Sequence, residues 1–455
     1  MPRTLFSSLL FISIIASLCG FSSAALASLN SDVDASYRVT WLKSQSKLSV
    51  NLCYKNPQAL QLTNHSTNQA KHLLHISQGD HILKRRGNKV NTQPKQQNNA
   101  CIHYEINTES GSQWRKTLTQ GNAAVLNTQR WFWFSPTFKT AEFAFFDESQ
   151  KPLKASLPFR KIGNRVQVAN TGLKWESRTV IGDLSVERLR LSNTFLNVTL
   201  TGKTQQRKQE WLDWIKVTAE AIEAVYGHFP QNHANILIVP IGKQSGPIPW
   251  GEVQRGGYPS VHLFIDETRP IQEFIDDWTG SHELSHLFLP KLIPGARWMS
   301  EGVASYYQNV ARARTGLISN ETAWRKMKAG FQRGRRDFNG KALTKANKTM
   351  HVYWGGAAYF FLADIRLRKT GQSLDSVLKK LSLCCLPSFE RWSPKKVAQK
   401  LDALSNTNVF TDLLNNEGAK KQFPISKELE SSITLQENTP LEAIFISPKV
   451  SRFSE

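Results

Sequence analysis

The stretch TGSHELSHLFLP (Thr279–Pro290) carries two histidines four residues apart, with a glutamate directly after the first. On a helix, residues i and i+4 share a face, so His282 and His286 can aim their imidazoles at one cation. Glu283 lies beside the first of them, where it can reach a water molecule rather than the cation. Zinc takes nitrogen, oxygen or sulfur ligands in a near-tetrahedral set, and a catalytic site keeps one position open. The ion acidifies a water, and a nearby carboxylate can take its proton. The spacing is only moderately specific. A surface helix with two incidental histidines would show it too, so a third protein ligand decides the matter.

WMSEGVASYYQ (Trp298–Gln308) supplies a candidate: fourteen residues separate His286 from Glu301. Pro290, Pro294 and Gly295 predict a turn between two helices. That turn would bring the Glu301 carboxylate back to the histidines, giving a His282, His286, Glu301 set for one zinc ion per chain. The ordinary alternative is a glutamate favoured near a helix N-terminus by the backbone dipole. Further on, HVYWGGAAYFFLADIRLRKTGQSLDSVL (His351–Leu378) places Tyr353 just ahead of Gly355 and Gly356. A phenol near a metal can donate a hydrogen bond to an oxyanion, and glycines let backbones approach closely. Read alone, Tyr353 is an ordinary packed aromatic. Asp276 and Asp277 precede the motif; either could orient a ligand histidine, though a solvent-facing helix start is the simpler reading.

These segments resemble the glycyl aminopeptidase-like zinc metallopeptidases of the gluzincin group, which also contains thermolysin. The likeness rests on HELSH, on WMSEGVASYY followed by ARTG, and on YWGGAAYFFLADIRLRKTGQSLDSVL. AVYGHFP and ANILIVPI before the motif and VFTDLLNN after it also fit, so the likeness covers about 205–420. The resemblance implies zinc held by His282, His286 and Glu301, with Glu283 as general base and Tyr353 stabilising the oxyanion. It implies a peptide or protein substrate and an α+β multidomain fold. An N-terminal β-sandwich would precede a thermolysin-like catalytic domain whose C-terminal part is mainly helical. Aminopeptidases of the family often carry an amine-binding glutamate in a Gly-Gly-x-Glu segment on the strand lining the cleft. The corresponding stretch here, QRGGYPSVHLFID, has Gly256 and Gly257 followed by Tyr258 and Pro259 and no acid, while Glu252 lies upstream. The substrate backbone is expected to pair with the strand near Val261–Ile265.

The rest of the chain agrees with this layout. Its 455 residues suffice for two or three domains. Short β-branched and aromatic runs between 37 and 200, among them YRVTWL, KLSVNLCY, ACIHYEI and LNVTLTG, predict antiparallel strands. The aromatic cluster Trp131–Phe134 reads as core, and the polar stretch from about Gln61 to Asn99 as long loops. Apolar residues at helical spacing from Trp211 to Val225 predict a helix. The strands ANILIVPI and VHLFID follow. Helices are expected at about 271–289, 300–314, 321–333, 351–369, 373–383 and 395–416. The domain reading is a signal peptide at 1–27, the β-sandwich at 28–202, the catalytic domain at 203–425 and a tail at 426–455.

The leader reading rests on MPRT, the apolar run Leu5–Phe21 and the Ala25-Leu26-Ala27 cleavage pattern. It implies export to the periplasm or beyond. In an oxidising compartment Cys53 and Cys101 are the favoured disulfide. For the adjacent Cys384 and Cys385, a vicinal bridge and two thiols both stay open. Lys and Arg number 58 against 36 Asp and Glu, a formal charge of +22. That excess favours contact with an anionic cell-envelope surface. The basic residues are dispersed and no nucleic-acid motif accompanies them. A metallopeptidase scaffold that binds without turnover, or one that hydrolyses a non-peptide amide such as a cell-wall cross-link, fits the same residues.

Overall fold

The computed structural model describes residues 33–425 and Ile444, apart from 56–57, 95–99, 110–117, 164, 169–176, 193 and 256–257. The leader, Cys19, Gly256, Gly257 and most of the tail thus lie outside the described residues. No described helix is long and apolar enough to cross a membrane.

The N-terminal half is β-rich. Strands β1 (Ala35–Leu42), β2 (Lys47–Tyr54) and β3 (Ala100–Asn107) pair antiparallel, and their residues alternate between buried and open. That alternation is what a sheet with one covered face requires. Cys53 faces Cys101 across the β2–β3 register and is bonded to it; Cys384 and Cys385 are bonded as well. Beyond these come β4 (Ala123–Asn127), β5 (Thr140–Asp147), β6 (Pro152–Ser156) and β7 (Arg178–Gly182). The antiparallel expectation fails at one seam, where β5 runs parallel to β1. The strands form one hydrogen-bonded path rather than two separate sheets. The path curls, so that Leu126 and Ile181 from one end share a core with Tyr37, Val50 and Tyr104 from the other. Trp131, Phe132 and Trp133 are buried in that core, as read. The polar stretch holds short strands at Gln61–Thr63, Leu73–Gln78 and Lys89–Asn91 rather than loops alone.

A second sheet carries the site. Its order is β8 (Leu184–Arg190), β9 (Phe195–Thr201), β10 (His233–Pro240), β12 (Ser260–Ile265) and β11 (Trp250–Gln254) at the edge. It therefore begins upstream of the boundary read near Lys203, and LNVTLTG belongs to it. Strands β9, β10 and β12 are parallel, so the chain must cross over between β9 and β10. Helix α1 (Lys208–Glu223) makes that crossover and buries Trp211, Trp214, Ile215, Ala219 and Ile222 on one stripe. Val125, Val180, Leu237, Val239 and Phe264 join the two sheets in a small shared core.

The expected helix at 271–289 is broken. Ile271–Asp276 ends at an extended Asp277, whose carboxylate accepts from the Thr279 amide at 2.7 Å and starts α2 (Thr279–Ser285). A turn of 3₁₀ helix, His286–Phe288, follows. The chain then reverses at Gly295, whose φ of 86° suits glycine. Helix α3 (Arg297–Arg314), α4 (Asn320–Arg336), a π-helical turn at His351–Gly355, α5 (Gly356–Arg368), α6 (Leu374–Cys385) and α7 (Pro394–Ser405) complete the helical part.

Helices α3 and α5 touch backbone to backbone. A Cβ on Gly356 would lie 2.0 Å from the Trp298 carbonyl oxygen and 2.7 Å from Gly302 Cα. Nothing there is a flexible side chain that could move aside. Gly356→Ala should therefore cost about 1–3 kcal/mol or more through overpacking, read as a lower denaturation midpoint. An unchanged midpoint would show that the two helices can separate freely.

Candidate metal centre and catalytic cleft

Helix α2 presents His282 and the 3₁₀ turn that follows it presents His286, and the Gly295 reversal returns α3 so that Glu301 faces them. Glu301 Oε2 lies 3.3 Å from His282 Nε2 and 3.6 Å from His286 Nε2. These three residues form the one group of metal-ligating type among the described residues, with donor atoms within 4.8 Å of one another. Their tautomers are held from behind. Gln308, seven residues along α3 from Glu301, has its amide oxygen 2.8 Å from His282 Nδ1. An oxygen acceptor there draws the ring proton to Nδ1 and leaves the Nε2 lone pair facing the centre. The Ser300 hydroxyl lies 3.2 Å from His286 Nδ1 and accepts from Arg255 Nη2 at 2.7 Å. Arg255 also donates to the His286 carbonyl at 2.9 Å. Two imidazole nitrogens and a carboxylate oxygen, each supported by a neighbour, fit the donor set that zinc prefers.

The groups are buried, and burial sets their charges. It pushes His286 well below the ordinary histidine range, which keeps that ring neutral and available as a ligand. For His282 burial acts the same way, but contact with Glu301 and Glu283 outweighs it and raises the value. Burial also opposes ionisation of Glu301, yet the His282 hydrogen bond and the charges of His282 and Arg297 hold it well below the usual range. Glu283 has no such close donor. Burial raises its carboxyl to about 7, with Glu301 adding to the effect and His282 and Arg255 opposing it. A carboxyl near neutrality can both take and return a proton.

Glu283 packs against the edge strand at its barest point. A Cβ on Gly251 would lie 2.4 Å from Glu283 Cγ and Cδ, so only glycine allows this approach. Tyr353, from the π turn, stacks on His282 at 5.5 Å between ring centroids. Burial and the Glu301 charge push its hydroxyl up to about 12, so it stays protonated. Arg297 donates to that hydroxyl at 3.3 Å and to Glu301 Oε1 at 3.3 Å. Gly251, Glu283, His286, Arg297, Glu301 and Tyr353 line one cleft of about 750 Å³, together with Trp250, Glu252, Lys291 and Arg391.

The structure brings His282, Glu283, His286, Glu301 and Tyr353 together around one point. It corrects two other readings. Val261–Ile265 cannot pair with a substrate, because β10 and β11 occupy both of its sides. The exposed edge is Trp250–Gln254. Glu252 on that edge lines the cleft, where Arg178 of β7 grips it through Nη2 at 2.8 Å and Nε at 3.1 Å. His262 Nδ1 adds a contact at 3.4 Å. Burial opposes the Glu252 charge, but His262 and Arg178 prevail and hold it at about 2. Gln308, Ser300, Arg255 and Arg297 were not singled out in the sequence. Gln308 and Arg297, both on the Glu301 face of the same helix, had spacings that could have revealed them.

The sequence matches no protein-family profile and no curated protein. The structure has clear neighbours. An aminopeptidase N family protein from Idiomarina loihiensis superposes with a TM-score of 0.64 at 15% identity, over 87% of this chain and 78% of that one. An M1 zinc metallopeptidase from Deinococcus radiodurans superposes with a TM-score of 0.53 at 12% identity, over 87% and 95%. A mutant of the latter, bound to a Tyr-Ser-Ala substrate, gives 0.51 at 12% identity, over 87% and 96%. A β-rich N-terminal domain joined to a mainly helical part is the fold of these aminopeptidase N family and M1 zinc metallopeptidase neighbours, and this chain has it.

Proposed function

We propose that the chain is an exported zinc-dependent peptidase that hydrolyses peptide bonds. The observation that carries this reading is the convergence of His282 with His286 and Glu301, two residues of a cleft wall that also holds Glu283 and Tyr353. In this reading those three residues hold the ion. When bound, zinc polarises a carbonyl and makes a water more acidic. Glu283 takes the proton from the attacking water and returns it to the departing amine. The Tyr353 hydroxyl, aimed by Arg297, donates to the oxygen that gains charge as the carbonyl becomes tetrahedral. Backbone groups on the outer edge of Trp250–Gln254 offer an extended substrate a strand to pair with. The solved neighbour with a bound tripeptide supports a peptide as substrate. The leader reading places the activity outside the cytoplasm, and the charge of +22 suits work near anionic envelope polymers or lipids.

Aminopeptidase action is the finer form of this reading. Glu252 is the cleft carboxylate left over from ion and base, but a free α-amino group would have to compete with Arg178 for it. The preference for free over acetylated amino termini should therefore stay below about tenfold, the lower end of what a charged hydrogen bond supplies. Matched peptide pairs measure this ratio, and a much larger one would assign Glu252 to amine binding.

The purified mature protein should bind about one zinc per chain. Glu283→Gln should keep that zinc and lose peptide hydrolysis by a factor of about 10² or more; full activity in this variant would overturn the mechanism. Gln308→Leu should weaken zinc affinity by about 10–100-fold, measured by competition with a chelating indicator. Unaltered affinity would show that the His282 tautomer needs no support.

A further inference from the structure

A second cavity, of about 310 Å³, lies between α3, α4 and the Met350–Trp354 turn, and shares Trp278 and Tyr353 with the catalytic cleft. On the α3 side it is lined by Ser305 and Asn309, 0% and 1% exposed. The Ser305 hydroxyl and both amide atoms of Asn309 have no hydrogen-bond partner. Buried polar groups are nearly always satisfied, so unsatisfied ones facing a cavity point to a ligand. The neighbouring Gln308 is already committed to His282.

Opposite them α4 contributes Lys326 and Arg333, two turns apart and therefore on one face. Lys326 is exposed and Arg333 half-buried, with its guanidinium 5.2 Å from the centre of the Trp354 ring. No carboxylate lines this cavity. Neutral donors on one side and two cations on the other select an anion. The indoles of Trp278 and Trp354 favour an anion carried on an organic body over a bare inorganic ion.

We propose that this cavity binds a carboxylate of the substrate, and so selects which peptides are cut. Trp278 and Tyr353 line both cavities, so this pocket adjoins the cleft in which the peptide would lie. The carboxylate is that of an acidic side chain near the scissile bond or of the C-terminus of a short peptide. Asn309 Nδ2 and the Ser305 hydroxyl donate to it, and Arg333 and Lys326 supply the positive field. The inference rests on the peptidase reading for the origin of its ligand.

The test uses full-length, zinc-loaded protein and peptides matched in pairs. One arm exchanges Glu for Gln at each position around the scissile bond, and the other compares free with amidated C-termini. Cleavage is read as kcat/KM. Binding to the Glu283→Gln variant is read by calorimetry, which needs no turnover. One carboxylate should raise kcat/KM and tighten binding by about tenfold or more, the effect of a charge-assisted hydrogen bond. The sensitive arm identifies its source. Arg333→Met and Lys326→Met should each move that ratio toward one; both positions reach solvent, and circular dichroism verifies folding. A ratio near one in the unaltered protein at every position, or one unchanged in both variants, overturns the proposal. Preferential binding of carboxylate peptides without cleavage would leave the pocket standing and remove the peptidase reading instead.

Discussion

Everything at the centre depends on how closely α3 can approach its neighbours. Glu301 must reach two histidines from another helix, and Tyr353 must reach the same point from a third segment. Side chains are too short to cover this if helices sit at ordinary spacing, 8–10 Å between axes. Gly302 and Gly356 remove that spacing, since a Cβ on either would fall inside the other's backbone. Gly302 is the residue after Glu301, and Gly356 lies three beyond Tyr353, so the closest contact falls where Glu301 and Tyr353 come together. The π turn at His351–Gly355 adds to this by turning Tyr353 onto His282.

Such density concentrates charge in a dry place. Two glutamates, Glu283 and Glu301, share the centre, and a buried carboxylate without compensation is costly. The fold treats them differently. Glu301 meets both histidines and Arg297 and stays ionised, whereas Glu283 faces bare backbone at Gly251 and rises toward neutrality. Two carboxyl groups of like chemistry thus acquire, from their surroundings alone, the distinct characters that the proposed ligand and base require.

Four of the five central residues were legible because each sits in a short segment whose meaning is local. Helical periodicity puts His282 and His286 on one face, and Pro294 with Gly295 announces the reversal that returns Glu301. Tyr353 was legible only through likeness to a family, since nothing near it in the chain marks a phenol as more than core. What sequence could not show is order across the sheet. VHLFID reads as a strand, but whether it lies inside or at an edge depends on where WGEVQ inserts, and that is a long-range pairing. The same holds for Glu252. Its partner Arg178 is remote in the chain and on another sheet, so no spacing could reveal the pair. Ser300 and Gln308 were hidden for a related reason: they meet the histidines' outer nitrogens, and a motif records only the inner ones; Arg255 reaches the site only through Ser300 and the His286 carbonyl.

The Arg178–Glu252 pair ties the architecture to the cleft. The guanidinium comes from the β-rich half and the carboxylate from the helical half, and both side chains are shielded from water. Excising the first 183 residues would therefore remove the cation that grips Glu252 and leave that cleft carboxylate with His262 as its remaining partner. The helical half is not a portable catalytic cassette. The β-rich half, with no residue assigned to the chemistry, still sets the electrostatic potential in which the chemistry would run.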